Sequence, residues 1–354
     1  MLRETFKKYQ NNIAQETDKL DKRVIGYVIG RNKTKAGKNM TNGEHVCRIC
    51  GNNTDNRSFI AKERMLGLND EFDYFECSNC MCMQISEIPK DMDRYYPSGY
   101  YSYKQPIFAT KLTGIRYLLK KGLAEYYSGK FNLIGFLLSP FYENPFTWLK
   151  PNVVNFNSKI LDVGSGTGRM LLSMKRSGYQ NLTGIDPYNS EDILYDNGVR
   201  VFKKDIFEIE GQFDLIMLHH SFEHMQNPKE ILEEIRKHIE PEGTIIIRIP
   251  VANSYAWRKY QTHWVQLDAP RHFVLHTLKS MNILANECGL KLSSIEYEST
   301  AFQFTGSEKY LRDIAFSEKD TVFSKKQMKL FGKEAKRLNQ INDGDSMCFY
   351  LRKA

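Results

Sequence analysis

No apolar run in the chain approaches the roughly 20 residues that a bilayer-crossing helix needs; the most apolar stretch runs only from Leu133 to Leu138. The first residues, MLRETFKKYQNNIAQETDKL, hold no apolar core and no small-residue cleavage site, so no secretory leader is expected and the expected location is the cytoplasm. Peripheral attachment to a membrane surface through the 133–138 region is the one membrane role left open. Charge of a single sign is also scarce: 50 Lys and Arg against 42 Asp and Glu leave +8 over 354 residues. So mild an excess does not mark a nucleic-acid-binding chain, and no nucleic-acid partner is expected. A 41% hydrophobic and 12% aromatic content excludes disorder and fibrous repeats, and a mean hydropathy of -0.50 belongs to a protein in water. The length exceeds what one compact domain usually needs.

Cysteine is sparse, yet four of the seven fall into a pattern. Cys47-Arg-Ile-Cys50 and Cys77-Ser-Asn-Cys80 are two C-x2-C knuckles separated by 26 residues. Each knuckle is a turn that points two thiolates at one spot, and four thiolates close a tetrahedral shell around Zn2+. A closed shell leaves no open position, so this zinc is expected to be structural. Short ribbon strands are expected at Phe75-Glu76 and at Met83 to Ile85, and Cys82 is left outside the ligand set. Cys288 and Cys348 lie in apolar contexts and read as core residues. After the ribbon comes Tyr95-Tyr96-Pro97-Ser98-Gly99-Tyr100-Tyr101-Ser102-Tyr103, whose tyrosines either line an acceptor pocket or pack the ribbon onto its neighbour. Helical periodicity follows over 109–150, with Leu112, Ile115, Leu118 and Leu119 on one face, read as a docking face.

The densest signal begins at Lys159-Ile-Leu-Asp-Val163, a short buried strand, followed by Gly164-Ser-Gly166-Thr-Gly168 and a helix from about Arg169. Glycines let a ligand approach the backbone, and the helix start presents free N–H groups. The loop is G-x-G-x-G preceded by Asp162, not the G-x-G-x-x-G of dinucleotide enzymes. Asp162 would repel a pyrophosphate and suits a cofactor with a positive amino-acid end. Asn181 to Ile185 leads to Asp186, placed for ribose hydroxyls; Val199 to Phe202 leads to Asp205, placed for an adenine amine. Further strands are expected at Phe213 to Leu218 and Gly243 to Ile249, with a helix over 228–239 between them. The repeating βα order implies an α/β, doubly wound parallel sheet.

Ile160-Leu-Asp-Val-Gly-Ser-Gly-Thr-Gly168, Gly184-Ile-Asp186, Asp205 and Phe213-Asp-Leu-Ile-Met-Leu-His-His-Ser-Phe-Glu-His224 together resemble the motifs of class I S-adenosylmethionine-dependent methyltransferases. The resemblance implies a Rossmann-like seven-stranded sheet over 151–354, with last strands at Leu290 to Tyr297 and Ser346 to Arg352 and a helical insertion at about 303–345. It implies that Gly164, Gly166 and Gly168 line the cofactor, that Asp186 and Asp205 hold ribose and adenine, and that the carbonyl region of His219 faces the methionine amine. Ahead of this domain stand a basic segment (1–44), the ribbon with its tyrosines (45–103) and a helical linker (104–150). That order of parts resembles the sugar C-methyltransferases of deoxysugar pathways and methyltransferases of surface-polysaccharide assembly, although those sugar enzymes are longer.

The narrower resemblance implies a sugar, nucleotide-sugar or lipid-linked glycan acceptor, a tyrosine drawn from Tyr96, Tyr100 and Tyr101, and a catalytic Glu223-His224 pair. Methyl transfer needs a base for the acceptor's proton, and the imidazole of His224 suits neutral pH, oriented by Glu223. A second constellation, Trp257, Arg258, His263-Trp264 and Leu267 to His272, follows the fifth strand, where open α/β sheets bind ligands. There Arg271 is expected to pair with a substrate phosphate, His263 to touch substrate and His272 to be an alternative base. The rival readings are an RNA methyltransferase with a zinc module, a small-molecule O-methyltransferase acting on quinone-like phenols, and a non-catalytic ribbon protein with a relic fold.

Overall fold

Strand alternation begins in the cysteine region: β1 (Arg57–Lys62) pairs antiparallel with β2 (Glu71–Glu76), and β2 with β3 (Met83–Ile85). This is a computed structural model, and it describes residues 45–97, 113–318 and 322–354. The 1–44 segment and Tyr100 and Tyr101 lie outside the described residues. Two helices follow, α1 (Gly114–Tyr127) and α2 (Leu133–Leu138). Their side chains contradict the expected docking face: Ile115, Leu118, Leu119, Leu133, Phe136 and Leu137 are all exposed. What the hairpin buries is Gly122 against Gly135, where missing side chains let the two helices touch. Among the described residues no helix is long and apolar enough to cross a membrane.

The central sheet is built from β4 (Lys159–Val163), β5 (Asn181–Ile185), β6 (Ile193–Leu194), β7 (Arg200–Phe202), β8 (Phe213–His219), β9 (Ile239–Pro250), β11 (Leu290–Tyr297) and β12 (Ser346–Lys353), in the order β11-β12-β9-β8-β4-β5-β7-β6. The strands from β9 to β7 are parallel, β12 runs antiparallel between β9 and β11, and β6 closes the far edge as a short antiparallel partner of β7. The sheet thus has eight strands where seven were expected; a two-residue strand has no periodicity to read. Near-continuous apolar strands make sense because both faces are covered. Ile245, Ile247 and Ile249 enter one core with Leu161, Leu218 and Phe349, while Ile246 enters the opposite core with Ile160, Met217 and Tyr350. The connections carry α3 (Arg169–Arg176), α4 (Pro228–His238), α5 (Tyr255–Tyr260) and α6 (Leu278–Glu287); α7 (Phe302–Tyr310) and α8 (Lys325–Gln340) fall between β11 and β12.

The ribbon does not stand apart from this sheet. A two-residue strand after β9, β10 (Val274–Leu275), pairs antiparallel with β3 and completes a second sheet in the order β1-β2-β3-β10. Tyr74 donates from its hydroxyl to the His272 carbonyl at 2.9 Å, and Thr277 from Oγ1 to the Cys80 carbonyl at 2.7 Å. Tyr74, Met83 and Ile85 share a third apolar core with Trp257, Trp264, Phe304 and Leu338. The cysteine module therefore braces the segment that contains His272.

Candidate functional site

At the C-terminal end of β4 the backbone turns through Gly164, Gly166 and Gly168 with φ of 74°, 54° and 77°, left-handed values that a side chain resists. A Cβ on Gly164 would fall 2.5 Å from the Cβ of Ser221, and one on Gly168 2.6 Å from Cγ2 of Val201. The turn thus lies pressed between the ends of β7 and β8 and opens onto α3, whose N-cap Gly168 has no side chain to occupy the first amides. Asp186, just past β5, accepts from the Gly166 amide at 2.8 Å through Oδ2 and from the Tyr188 amide at 3.0 Å through Oδ1. Asn189 donates to the Gly166 carbonyl at 2.8 Å, a brace that no motif announces. Asp205 accepts from the Phe207 amide at 2.8 Å through Oδ1 and closes a capping box with Glu208, so its carboxylate serves the backbone of the turn that follows β7.

Asp162 is buried in β4, one rung from Gly184 on β5 and Met217 on β8. Burial, and then the neighbouring charge of Asp186, push its carboxyl up to about 8. Burial also raises Asp186, against the pull of the Tyr188 and Gly166 amides. Two carboxyls held above their usual range beside a glycine turn fit a ligand that carries positive charge. His219 ends β8. Its ring packs against Trp148, with centroids 4.3 Å apart, and Nδ1 lies 3.2 Å from Nη1 of Arg248; burial first, then Arg248 and His220, hold it well below the usual imidazole range.

Past β8 the chain brings together Glu223, His224 and His272, with Tyr96 beside them. His224 Nδ1 lies 2.7 Å from the Arg271 carbonyl. A carbonyl only accepts, so Nδ1 carries the proton and Nε2 is the basic nitrogen. The Tyr96 hydroxyl is 3.3 Å from the same Nδ1. His272 donates from Nδ1 to the Gln266 carbonyl at 2.7 Å, and its ring meets that of His224 edge-on at 4.7 Å. Burial, and then the charge of His224, push His272 down to about 4, so its ring is neutral at working pH and a weaker base than an ordinary imidazole. Glu223 is wholly buried. Burial disfavours its ionised form, but the surrounding imidazoles of His220, His224 and His272 outweigh it, and its carboxyl lies below the ordinary range.

Arg271 is placed differently from expectation. Its guanidinium is fully buried, donating to Glu63 at 2.9 Å, to both oxygens of Asp268 at 2.6 and 3.0 Å, and to the Tyr95 carbonyl at 3.3 Å. With these donors committed inside the protein it has no face for a substrate phosphate. His263 likewise turns to the ribbon, with Nε2 3.1 Å from Arg64 Nη2, and Trp264 is buried with its indole N–H on Asp345 at 2.9 Å. The 263–272 loop is a plug that carries His272 and the Arg271 carbonyl to the site.

In the ribbon, the Cys47 and Cys80 sulfurs are 3.6 Å apart, as are those of Cys50 and Cys77. Tetrahedral zinc with bonds of about 2.3 Å puts its sulfurs roughly 3.8 Å apart, and one sulfur from each of the four lies within 4.8 Å of the others. The donor set fits a structural zinc. Cys82, set aside in the sequence, packs its sulfur 3.2 Å from that of Cys80, and the Gln84 amide donates to both Cys47 and Cys82 at 3.0 Å.

A doubly wound sheet, a three-glycine turn after its first parallel strand and carboxylates at the ends of the next two define a nucleotide-cofactor α/β enzyme. Residues 144–295 match the family described as "Methyltransferase domain". That match supports a methyltransferase domain in this part of the chain. It is 30% identical over 32% of its length to EEF1A lysine methyltransferase 2 of Danio rerio, of which it spans 55%. It is 27% identical over 29% of its length to the ubiquinone biosynthesis O-methyltransferase of Erwinia tasmaniensis, spanning 46% of it. The chain thus spans about half the length of these relatives. Among solved structures, a SAM dependent methyltransferase from Archaeoglobus fulgidus superposes with a TM-score of 0.36 at 19% identity, over 56% of this chain and 86% of that one.

Asp162 gives this cofactor site a pH signature. A carboxyl raised to about 8 from an ordinary 3.8 favours the fold while protonated, and that stability is lost as pH rises through the folded value. A cationic ligand beside it restores the ionised form and expels the proton. Calorimetric titration with S-adenosylmethionine in buffers of different ionisation enthalpy should therefore show release of about one proton at pH ~7 and only a small fraction of one at pH ~9. Enthalpies independent of the buffer at neutral pH would remove Asp162 from the cofactor's charged end.

Proposed function

We propose that the protein transfers a methyl group from S-adenosylmethionine to a hydroxyl or acidic carbon of a sugar or glycan precursor. The observation that carries this reading is the basic Nε2 of His224, fixed by the Arg271 carbonyl at the edge where the Gly164–Gly168 turn opens, with the Tyr96 hydroxyl beside it. S-adenosylmethionine supplies an electrophilic methyl group on a sulfonium. His224 Nε2 takes the proton as the acceptor atom forms its new bond to carbon, and the buried carboxylate of Glu223 stabilises the imidazolium that results. Among the described residues, Tyr96 is the candidate from the tyrosine segment to orient the acceptor. The exposed apolar side chains of α1 and α2 support an acceptor carried on a lipid at a bilayer surface. A second reading, O-methylation of a quinone-like phenol, draws on the ubiquinone O-methyltransferase relatives; it uses the same base.

One acceptor screen with the wild type and His224→Ala tests both. Nucleotide-sugars, lipid-linked glycans, phenols and RNA are offered side by side. His224→Ala should lower kcat on the true acceptor by about 10²–10⁴ while cofactor affinity stays unchanged. Methylation of RNA alone, or an undiminished kcat in His224→Ala, would overturn the reading.

A further inference from the structure

Glu223 poses a problem that proton transfer to His224 does not solve. Both of its oxygens are buried without a hydrogen-bond partner, so the usual remedy for a buried carboxylate is missing. The nearest ring nitrogen, Nδ1 of His220, is 3.6 Å from Oε1, and His272 turns toward it an atom that cannot donate. The Arg271 and Gln266 carbonyls, each at 2.7 Å, fix the ring protons of His224 and His272 on Nδ1. A neutral imidazole has one N–H, so each Nε2 is a lone pair. That of His272 lies 3.9 Å from Oε1 of Glu223 and 3.8 Å from Oδ2 of Asp268. Lone pairs and carboxylates that converge inside a protein repel unless positive charge lies among them, and that charge is either a second proton on these imidazoles or a cation.

The spacing suits an ion: one ligand atom each from Glu223, His224 and His272 lies within 4.8 Å of the others. Histidines whose second nitrogen is held by a carbonyl are the usual form of metal-ligating histidine, because that contact fixes tautomer and ring direction. Asp268 is already paired with Arg271 and belongs to the surroundings. We propose that Glu223, His224 and His272 hold a divalent first-row transition-metal ion, separate from the zinc of the cysteine ribbon.

Two imidazoles and one carboxylate suit Mn2+, Fe2+, Co2+ or Zn2+, and three protein ligands leave positions open. An acceptor hydroxyl in an open position would lose its proton more readily. The proton leaves through half-exposed His220, whose Nδ1 is 3.6 Å from Oε1 of Glu223, to solvent. The oxygen then forms its bond to the methyl carbon as the carbon–sulfur bond breaks and its electron pair returns to sulfur. This inference rests on the functional reading above, which puts acceptor activation at these side chains, and replaces a free imidazole base with an ion.

The test is Mn2+ titration of the full chain with its ribbon zinc in place, read by electron paramagnetic resonance. One Mn2+ per chain is expected in the wild type. Glu223→Gln and His272→Gln should each weaken it by at least about tenfold while ribbon zinc and cofactor affinity are retained, and His263→Gln should leave it unchanged. Absence of any ion beyond the ribbon zinc, or Mn2+ binding indifferent to both variants, overturns the proposal. Methyl transfer that survives loss of the second ion but fails in His224→Ala would keep the free base and discard the ion. An ion bound as expected with no methyl transfer on any acceptor would keep the ion and discard the functional reading.

Discussion

Zinc-stripped protein should lose methyl transfer almost completely while still binding S-adenosylmethionine. The cysteines share an apolar core with Val163 and Ile185 but offer no group to the methyl transfer itself, so the loss has to travel through structure. It can, because β3 hydrogen-bonds β10 with Gln84 opposite Val274 and Met83 opposite Leu275, and because Cys80 and Tyr74 hold Thr277 and His272 by hydrogen bonds. Structural zinc is worth about 10–16 kcal/mol to small zinc-finger peptides, far more than three strands of this size supply by themselves. Without it the ribbon comes apart and releases residues 268–277, which carry His272 and the backbone carbonyl that orients His224. The cofactor turn between β4 and β5 belongs to the other sheet and should keep its affinity within a few-fold. Chelation followed by calorimetry, hydrogen exchange over 268–277 and a turnover assay separates the two. Zinc-free protein with unchanged kcat and protected amides in that segment would disprove the coupling; Cys77→Ser should reproduce the chelated state.

The parts of the site legible in the sequence are those in which one short stretch of chain does the work. Gly164 to Gly168 need positive φ within a single turn, Asp186 and Asp205 follow directly from strand ends, and each cysteine knuckle closes on itself. Contacts between distant segments left no local trace. Nothing near Glu63 marks it as the partner of Arg271, 208 residues away, and without that partner Arg271 looks like an open phosphate ligand. The sequence also carries no sign that His272 is a weak base, since the burial that pushes its ring down to about 4 is assembled by several segments at once. On α1 and α2 the helical periodicity was real, but periodicity shows that a stripe is apolar, not that the protein covers it.

Arg271→Ala should cost about 3–5 kcal/mol of folding stability, because it strands two carboxylates in the interior. Glu63 is fully buried and Asp268 nearly so, with 15% of its side chain exposed. Wild-type Asp268 titrates below the ordinary carboxyl range: burial opposes its charge, but Arg271 overcomes that penalty. A carboxyl depressed in the folded state contributes stability above its unfolded pKa and gives it up as pH falls through the folded value. The gap between wild type and Arg271→Ala should therefore be widest near neutrality and shrink in acid, where protonation relieves the stranded carboxylates of the variant. Urea denaturation across that range measures it. Adding Glu63→Gln and Asp268→Asn to Arg271→Ala should recover part of the loss, since removal of every charge costs less than removal of one. A guanidinium that contacted substrate instead would behave oppositely: Arg271→Ala would leave stability within about 0.5 kcal/mol, as exposed substitutions do, and would raise the KM for the acceptor.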